Sequence, residues 1–337
     1  MIVHICCSVD SWYFLSRLAE NLAQTRLSER LIAYFYNPNI HPRGEYLARL
    51  ADAKRSCDRL GIEFCEGEYD LDAFVCAARG LEDEAEKGAR CAACFDLRLE
   101  RAAKFALERG ETRFTTTLLQ SPKKDFAQLR ASAGAIAARH GLEFVFADFR
   151  SGGGTQTAFA LARQRGAYFQ DYCGCLWGLS KQRSAQGRFA AELSSPVDRG
   201  AETSADRRFF AARDRALAEA GGEEIRLYKR KIMSWRLLSG FLRDQNGVLV
   251  SKIARNSASF HAAKAHLVTC KKSGVWRFEK QAGFVILRDV LNGYDPREFL
   301  ELENYDITPI FVVNYEPFGA VACEIKSIFF EETLLAF

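Results

Sequence analysis

The sequence has no run of about 18 uninterrupted apolar residues, the length a membrane-crossing helix needs, so a helical membrane protein is excluded. Its opening, MIVHICCSVD, has no basic segment followed by an apolar run and a small-residue cleavage site, so no secretory signal is visible. Together these absences predict a cytoplasmic protein without a membrane partner. No internal repeat is visible. The one glycine-rich loop, Gly152-Gly153-Gly154-Thr155-Gln156, matches neither GxGxxG nor a P-loop, which leaves nucleotide binding without support.

What is present points to a globular enzyme-sized protein. A chain of 337 residues is about twice a typical domain. With 48% hydrophobic and 27% charged residues it can bury a sizeable core and does not resemble a disordered chain. The net charge of +4 conceals an asymmetry: residues 225–280 hold 13 Lys and Arg against 2 Asp and Glu, whereas residues 281–337 hold 3 against 10. A basic block of this size is an electrostatic footprint for a polyanion, nucleic acid first.

Up to about residue 150, short apolar runs alternate with helical patterns. Strands are predicted at Ile2–Cys7, Leu31–Tyr36, Ile62–Cys65, Phe114–Leu119 and Glu143–Phe146, and helices over Tyr13–Ala23, Pro42–Leu60, Arg98–Glu108 and Gln128–Arg139. That alternation implies an α/β fold, a parallel sheet with flanking helices, whose ligands bind beyond the carboxyl ends of the strands. From Gln186 to Glu224 the sequence turns polar, with Ser194-Ser195-Pro196 and Gly221-Gly222 as punctuation and a charged helix over Asp206–Glu219 between them. The resulting division is an α/β domain over 1–190, a connection over 191–224, and a smaller α+β domain over 225–337.

Eleven cysteines, an odd number at uneven spacing, suit metal or redox chemistry better than a disulfide framework in a cytoplasmic protein. Cys57, Cys65, Cys76, Cys270 and Cys323 read as small buried hydrophobes. Three pairs stand apart: Cys6-Cys7, Cys91-x-x-Cys94 and Cys173-Gly-Cys175. Four thiolates suffice for zinc or for an iron–sulfur cluster. An adjacent pair suits structural zinc poorly. A Cys-Gly-Cys disulfide closes a very small ring, so that pair suits a dithiol that cycles.

Six stretches, HICC, YFYNPNIHP, GLEDEAEKGARCAAC, FTTTLLQSPKKD, ADFRSGGGTQ and YCGC, occur in this order between residues 3 and 175. Together they resemble the QueH-type epoxyqueuosine reductases over about the first 185 residues. The resemblance implies the final step of queuosine synthesis, in which epoxyqueuosine in a tRNA anticodon loses its epoxide oxygen as water. It further implies a [4Fe–4S] cluster on Cys6, Cys7, Cys91 and Cys94, a redox-active dithiol at Cys173 and Cys175, room for an additional mononuclear metal, and an unidentified electron donor. Many family members carry another cysteine where this chain has Asp10. An aspartate there can ligate a hard iron, donate a proton, or cap the following helix.

Other motifs have both a site reading and a plain one. His41, in Asn37-Pro38-Asn39-Ile40-His41-Pro42, would meet tRNA phosphate or the substrate diol, in a segment that also suits an ordinary turn. Thr115 and Thr116, with the Ser121–Asp125 turn and its two lysines, Lys123 and Lys124, form a natural anion seat before a helix; Asp148 joins Asp10, His41 and Lys123 as a possible proton donor. Tyr228, Trp235, Phe241, Phe260, Trp276 and Phe278 lie among the C-terminal cations and would either stack on single-stranded RNA or fill a core. Competing functions are another iron–sulfur tRNA-modifying enzyme, such as a thiolation enzyme, and a non-catalytic zinc-stabilised RNA-binding protein.

Overall fold

The computed structural model describes residues 1–24, 29–193, 204–255, 262–302 and 308–337. The expected punctuation at Ser194-Ser195-Pro196 and the aromatic Phe260 lie outside the described residues, as does the side chain of Trp235. The chain divides into two compact units, one formed by residues 1–192, 205–230 and 334–337, the other by 193–204 and 231–333.

The first unit is built on five parallel strands, β1 (Ile2–His4), β2 (Ile32–Phe35), β3 (Glu63–Glu66), β4 (Arg113–Thr116) and β5 (Glu143–Phe144). Their order in the sheet is β3-β2-β1-β4-β5. β1, β2 and β3 run outward in one direction and β4 and β5 in the other, so the chain reverses between β1 and β4. A parallel sheet opens a crevice at such a reversal, beyond the carboxyl ends of the strands. Helices cover the sheet: α1 (Ser8–Gln24), α2 (Arg43–Leu60), α3 (Leu71–Ala77), α4 (Ala89–Glu108), α5 (Phe126–His140), α6 (Gly154–Gln164), α7 (Leu176–Ala185) and α8 (Ser204–Ala220).

Local sequence explains the boundaries. β1 and β2 are buried along their whole length, as strands covered on both faces must be. α2 stops at Gly61, which adopts the left-handed conformation at a φ of 65°. α5 starts at Asp125, whose carboxylate accepts from Gln128 N at 2.8 Å. α4 turns Cys94, Phe95, Arg98, Leu99, Ala102, Ala103 and Ala106 inward at helical spacing, so one buried stripe carries both a thiol and a guanidinium.

The second unit is mostly sheet. Five strands, β8 (Ser251–Arg255), β10 (Leu267–Thr269), β11 (Val275–Phe278), β12 (Phe284–Leu287) and β13 (Ile310–Val313), pair in the order β10-β11-β12-β13-β8, with one parallel pair at β12 and β13. Four more, β6 (Tyr228–Asp244), β7 (Gly247–Leu249), β9 (Ala262–Ala265) and β14 (Val321–Ala336), pair as β7-β6-β14-β9. Leu242, Trp276, Val285, Phe311, Val321 and Ile325 join both sheets in one apolar core. Among the described residues its helical part is two four-residue helices, α9 (Arg288–Leu291) and α10 (Pro296–Phe299). Trp276 and Phe278 are core side chains, which removes them from any stacking role, whereas Tyr228 is exposed.

Candidate functional site

Three connections at the carboxyl edge of the parallel sheet build one pocket. The first is the turn from β1 into α1. The expected strand through Cys7 ends at His4, because the carbonyl of Cys7 is already taken by the helix: it accepts from Ser11 N at 3.2 Å and from Ser11 Oγ at 2.6 Å. Cys6 and Cys7 therefore lie in the turn, with their sulfurs 3.9 Å apart. The Cys7 thiol donates to Asp10 Oδ2 at 3.4 Å. Asp10 sits inside the first turn of α1, not ahead of it. The ligand atoms of Cys6, Cys7 and Asp10 all fall within 4.8 Å of one another, a set able to hold a metal ion.

The second connection begins α4. Arg90 fixes it by donating from Nη1 to the carbonyls of Leu81, Glu82 and Glu84 at 3.1, 2.7 and 2.7 Å. Cys91 accepts from Lys87 N at 3.2 Å, and Cys94 follows on the buried stripe. Burial pushes the Cys94 thiol up to about 11.

The third connection, Tyr168–Cys175, carries the Cys-Gly-Cys pair. Arg49 donates to the carbonyls of Tyr172 and Cys173 at 2.9 and 3.0 Å while pairing with buried Glu45 at 2.8 Å. Asp52 receives Tyr168 N at 2.6 Å as well as Ser8 Oγ and Arg215, so one carboxylate ties the start of α1 to this segment. Gly174 has a φ of +113°, and a Cβ there would lie 2.9 Å from Ile40 Cγ1. Only glycine fits between the two cysteines.

The two thiols of this pair differ. Burial raises Cys173, but the ammonium of Lys124, 3.2 Å from its sulfur, with Arg98 and Arg49 behind, brings it below the ordinary thiol range. Cys175 is packed with Phe74, Ala78, Cys94 and Trp177, and burial pushes its thiol up. For the adjacent pair, the hydrogen bond between them lowers Cys6 and raises Cys7, and the cations Arg98, Arg49 and Lys124 favour charge on Cys6. Burial, then the Cys6 charge, raises the Asp10 carboxyl to about 7.

Cys6, Asp10, Arg49, Arg98, Lys124 and Cys173 line a common cavity of about 160 Å3. Of the other expected site residues, Lys123 lines it too, but its neighbour Lys124 makes the thiol contact. Thr115 and Thr116 do not line the cavity: both are fully buried, one donating to Val145 O at 2.7 Å, the other meeting His4 Nδ1 at 2.8 Å and Leu118 N at 3.2 Å. Their hydroxyls hold strand ends together. Asp148 also lies off the cavity wall, closing its own loop through Arg150 N, Ser151 N and Ser151 Oγ at 2.9, 3.2 and 2.6 Å. His41 braces the Cys-Gly-Cys turn by backbone, donating to Gly174 O at 2.9 Å and accepting from Tyr172 Oη at 2.5 Å. Arg49 and Arg98 went unrecognised as site residues, and Lys124 was expected only as one of two lysines at an anion seat, not as the partner of a thiol. Arg98 one helical turn after Cys94 was the available signal.

The carboxyl edge of this parallel α/β sheet thus gathers thiols of opposed acidity beside buried cations, the setting of a reactive-thiol site in an oxidoreductase. The comparisons with known proteins are specific. Residues 1–181 match the family described as "Epoxyqueuosine reductase QueH". The epoxyqueuosine reductase QueH of Helicobacter pylori is 38% identical over 380 aligned residues, covering 98% of this chain and 98% of its own. That of Histophilus somni is 36% identical over 57% of this chain and 79% of its own length. A predicted tRNA methyltransferase subunit from Methanocaldococcus jannaschii superposes with a TM-score of 0.32 at 17% identity, over 48% of this chain and 74% of that one. The chain belongs to the epoxyqueuosine reductase QueH family, a family of oxidoreductases. Its second unit is shared with the Helicobacter relative and lies beyond the family match. Among the described residues no helix is long and apolar enough to cross a membrane.

Proposed function

We propose that this pocket removes the epoxide oxygen of epoxyqueuosine in a tRNA anticodon, giving queuosine. Beyond family membership, the observation that carries the reading is the meeting of Cys6, Asp10, Lys124 and Cys173 on one cavity wall. The reaction breaks both carbon–oxygen bonds of the epoxide and forms a carbon–carbon double bond. It consumes two electrons and two protons and releases water. A Cys173–Cys175 pair can supply both electrons as its sulfurs join, with one proton from the Cys175 thiol and the other from a neighbouring acid such as Asp10, and an external reductant would restore it. Lys124 favours the anionic, reactive form of the Cys173 sulfur, while Arg49 fixes the backbone on which that sulfur stands.

Cys6, Cys7, Cys91 and Cys94 are the residues we assign to a [4Fe–4S] cluster. The donor set fits: Lys124 acts electrostatically on Cys91 and Cys94, and Arg98 on Cys6 and Cys94, so thiolate charge would be offset without water. Such a cluster, when bound, supplies single electrons. The Cys6–Cys7–Asp10 trio also suits one further metal ion with mixed sulfur and oxygen ligands, and Asp10 is placed to ligate it or to hand a proton to the departing oxygen. For the second unit we propose RNA docking through exposed cations such as Arg243 and Lys264.

The test uses anaerobically prepared protein, tRNA carrying epoxyqueuosine and a chemical reductant, with digested nucleosides read by mass spectrometry. Queuosine formed only with protein is the expected result. No product from protein containing iron and acid-labile sulfide overturns the reading. A colourless zinc-loaded protein would favour a non-catalytic RNA-binding role for the same thiols.

A further inference from the structure

One side chain at the cavity wall takes no part in the reading above. Asn39 is 1% exposed and lines the cavity with Cys6, Lys124 and Cys173, yet among the described residues nothing donates to its Oδ1. The backbone around it is pinned. Ile40 N donates to Asn37 O at 3.1 Å, Tyr69 Oη donates to Ile40 O at 2.8 Å, and His41 N donates to Gly174 O at 2.9 Å. Asn37, two residues earlier, is satisfied at both ends, donating to Ile5 O at 2.9 Å and accepting from Arg98 Nη2 at 2.5 Å. The same loop thus carries one amide used by the fold and one whose acceptor is left open. A buried acceptor without a donor is costly and rare in folded proteins. Gln170 repeats the pattern in the same cavity, its Oε1 buried and, among the described residues, equally unmet.

We infer that Asn39, assisted by Gln170, accepts hydrogen bonds from neutral N–H or O–H donors of the bound nucleoside and so sets its position and selectivity. The inference rests on the proposed reaction at this pocket. Neutral acceptors suit such donors, because they place no further charge among the cations and thiols already there. Two parts of the substrate offer this chemistry: the N–H edge of the guanine-like base and the hydroxyls of its ring diol.

The experiment is steady-state turnover by the metal-loaded Asn39→Leu variant, with its melting temperature measured alongside. KM for epoxyqueuosine tRNA should rise about tenfold to a hundredfold, with kcat little changed and melting unaffected, since no internal hydrogen bond is lost. Gln170→Leu should shift KM in the same direction and keeps the test available should the Asn39 variant fail to fold. Direct binding of product tRNA and of the same tRNA with plain guanosine separates the two sources. Weakening of both points to the base edge, and weakening of product alone to the diol. Wild-type KM and wild-type binding in both variants overturn the inference, as does a lowered melting temperature with unchanged KM. If wild-type protein gives no turnover, the proposed reaction fails, and the binding comparison still decides the role of Asn39.

Discussion

The two compact units bury different things. In the second, the cores are chiefly aliphatic and aromatic, with Val285, Ile286, Ile310 and Phe311 fully enclosed, and enclosed charges such as Glu332 are few among the described residues. The first has a comparable apolar core and adds Glu45, Arg49, Asp52, Arg98, Arg208 and Arg215, all under 5% exposed. Apolar burial stabilises without regard to direction. Buried ion pairs contribute little net stability but punish every arrangement except the one that pairs them. Where the first unit places those ions is informative: Glu45, Arg49 and Asp52 hold the segment that ends in Cys173 and the turn that follows Cys7. The charges buried in α2 serve as a mounting for the thiols.

The comparison can be broken or sharpened in order of effect. Cys173→Ser should reduce turnover to the level without protein while iron and sulfide content stay unchanged; retained activity would remove this thiol from the chemistry. Arg49→Met should cost about 3–5 kcal/mol, because Glu45 loses its close partner inside the protein, as read by denaturant unfolding. Ile310→Ala in the second unit should cost about 2–5 kcal/mol as a simple cavity. Were Arg49→Met the milder of the two, the contrast drawn here between the units would not stand. The smallest effect is on reactivity. The Cys173 thiol sits below its ordinary range, so its thiolate, and its labelling by iodoacetamide, should persist to lower pH than for an ordinary cysteine. Lys124→Met leaves burial less opposed, moves the labelling curve to higher pH, and slows labelling at neutral pH.

Much of the first unit was legible in its sequence because short apolar runs and helical patterns alternate from β1 to β5. What escaped depended on charge. Arg49 and Arg98 lie in the middle of helices, where cations ordinarily face water, and no local pattern distinguishes a guanidinium that will be enclosed. Lys123 and Lys124 are chemically alike; only the entry angle of α5 decides that the second reaches Cys173. The long strand β6 was missed because its many cations read as an RNA-facing stretch and masked its alternation. The cysteine pairs were legible for the opposite reason: thiols at such spacings have few other uses. Thr115, Thr116 and Asp148 looked like ligands because hydroxyls and carboxylates at strand ends serve loops and active sites equally well.

Gly174 also bears on protein engineering. The tripeptide Cys-Gly-Cys is short enough to paste into almost any loop, but its geometry here is enforced from outside: Ile40 leaves no room for a side chain at the glycine, and Arg49 grips the carbonyl of Cys173. A transplant that moved only the three residues would deliver two ordinary thiols. The portable piece is the pair of loops with the helix beneath them, and a designer wanting this dithiol elsewhere would need to move all of it.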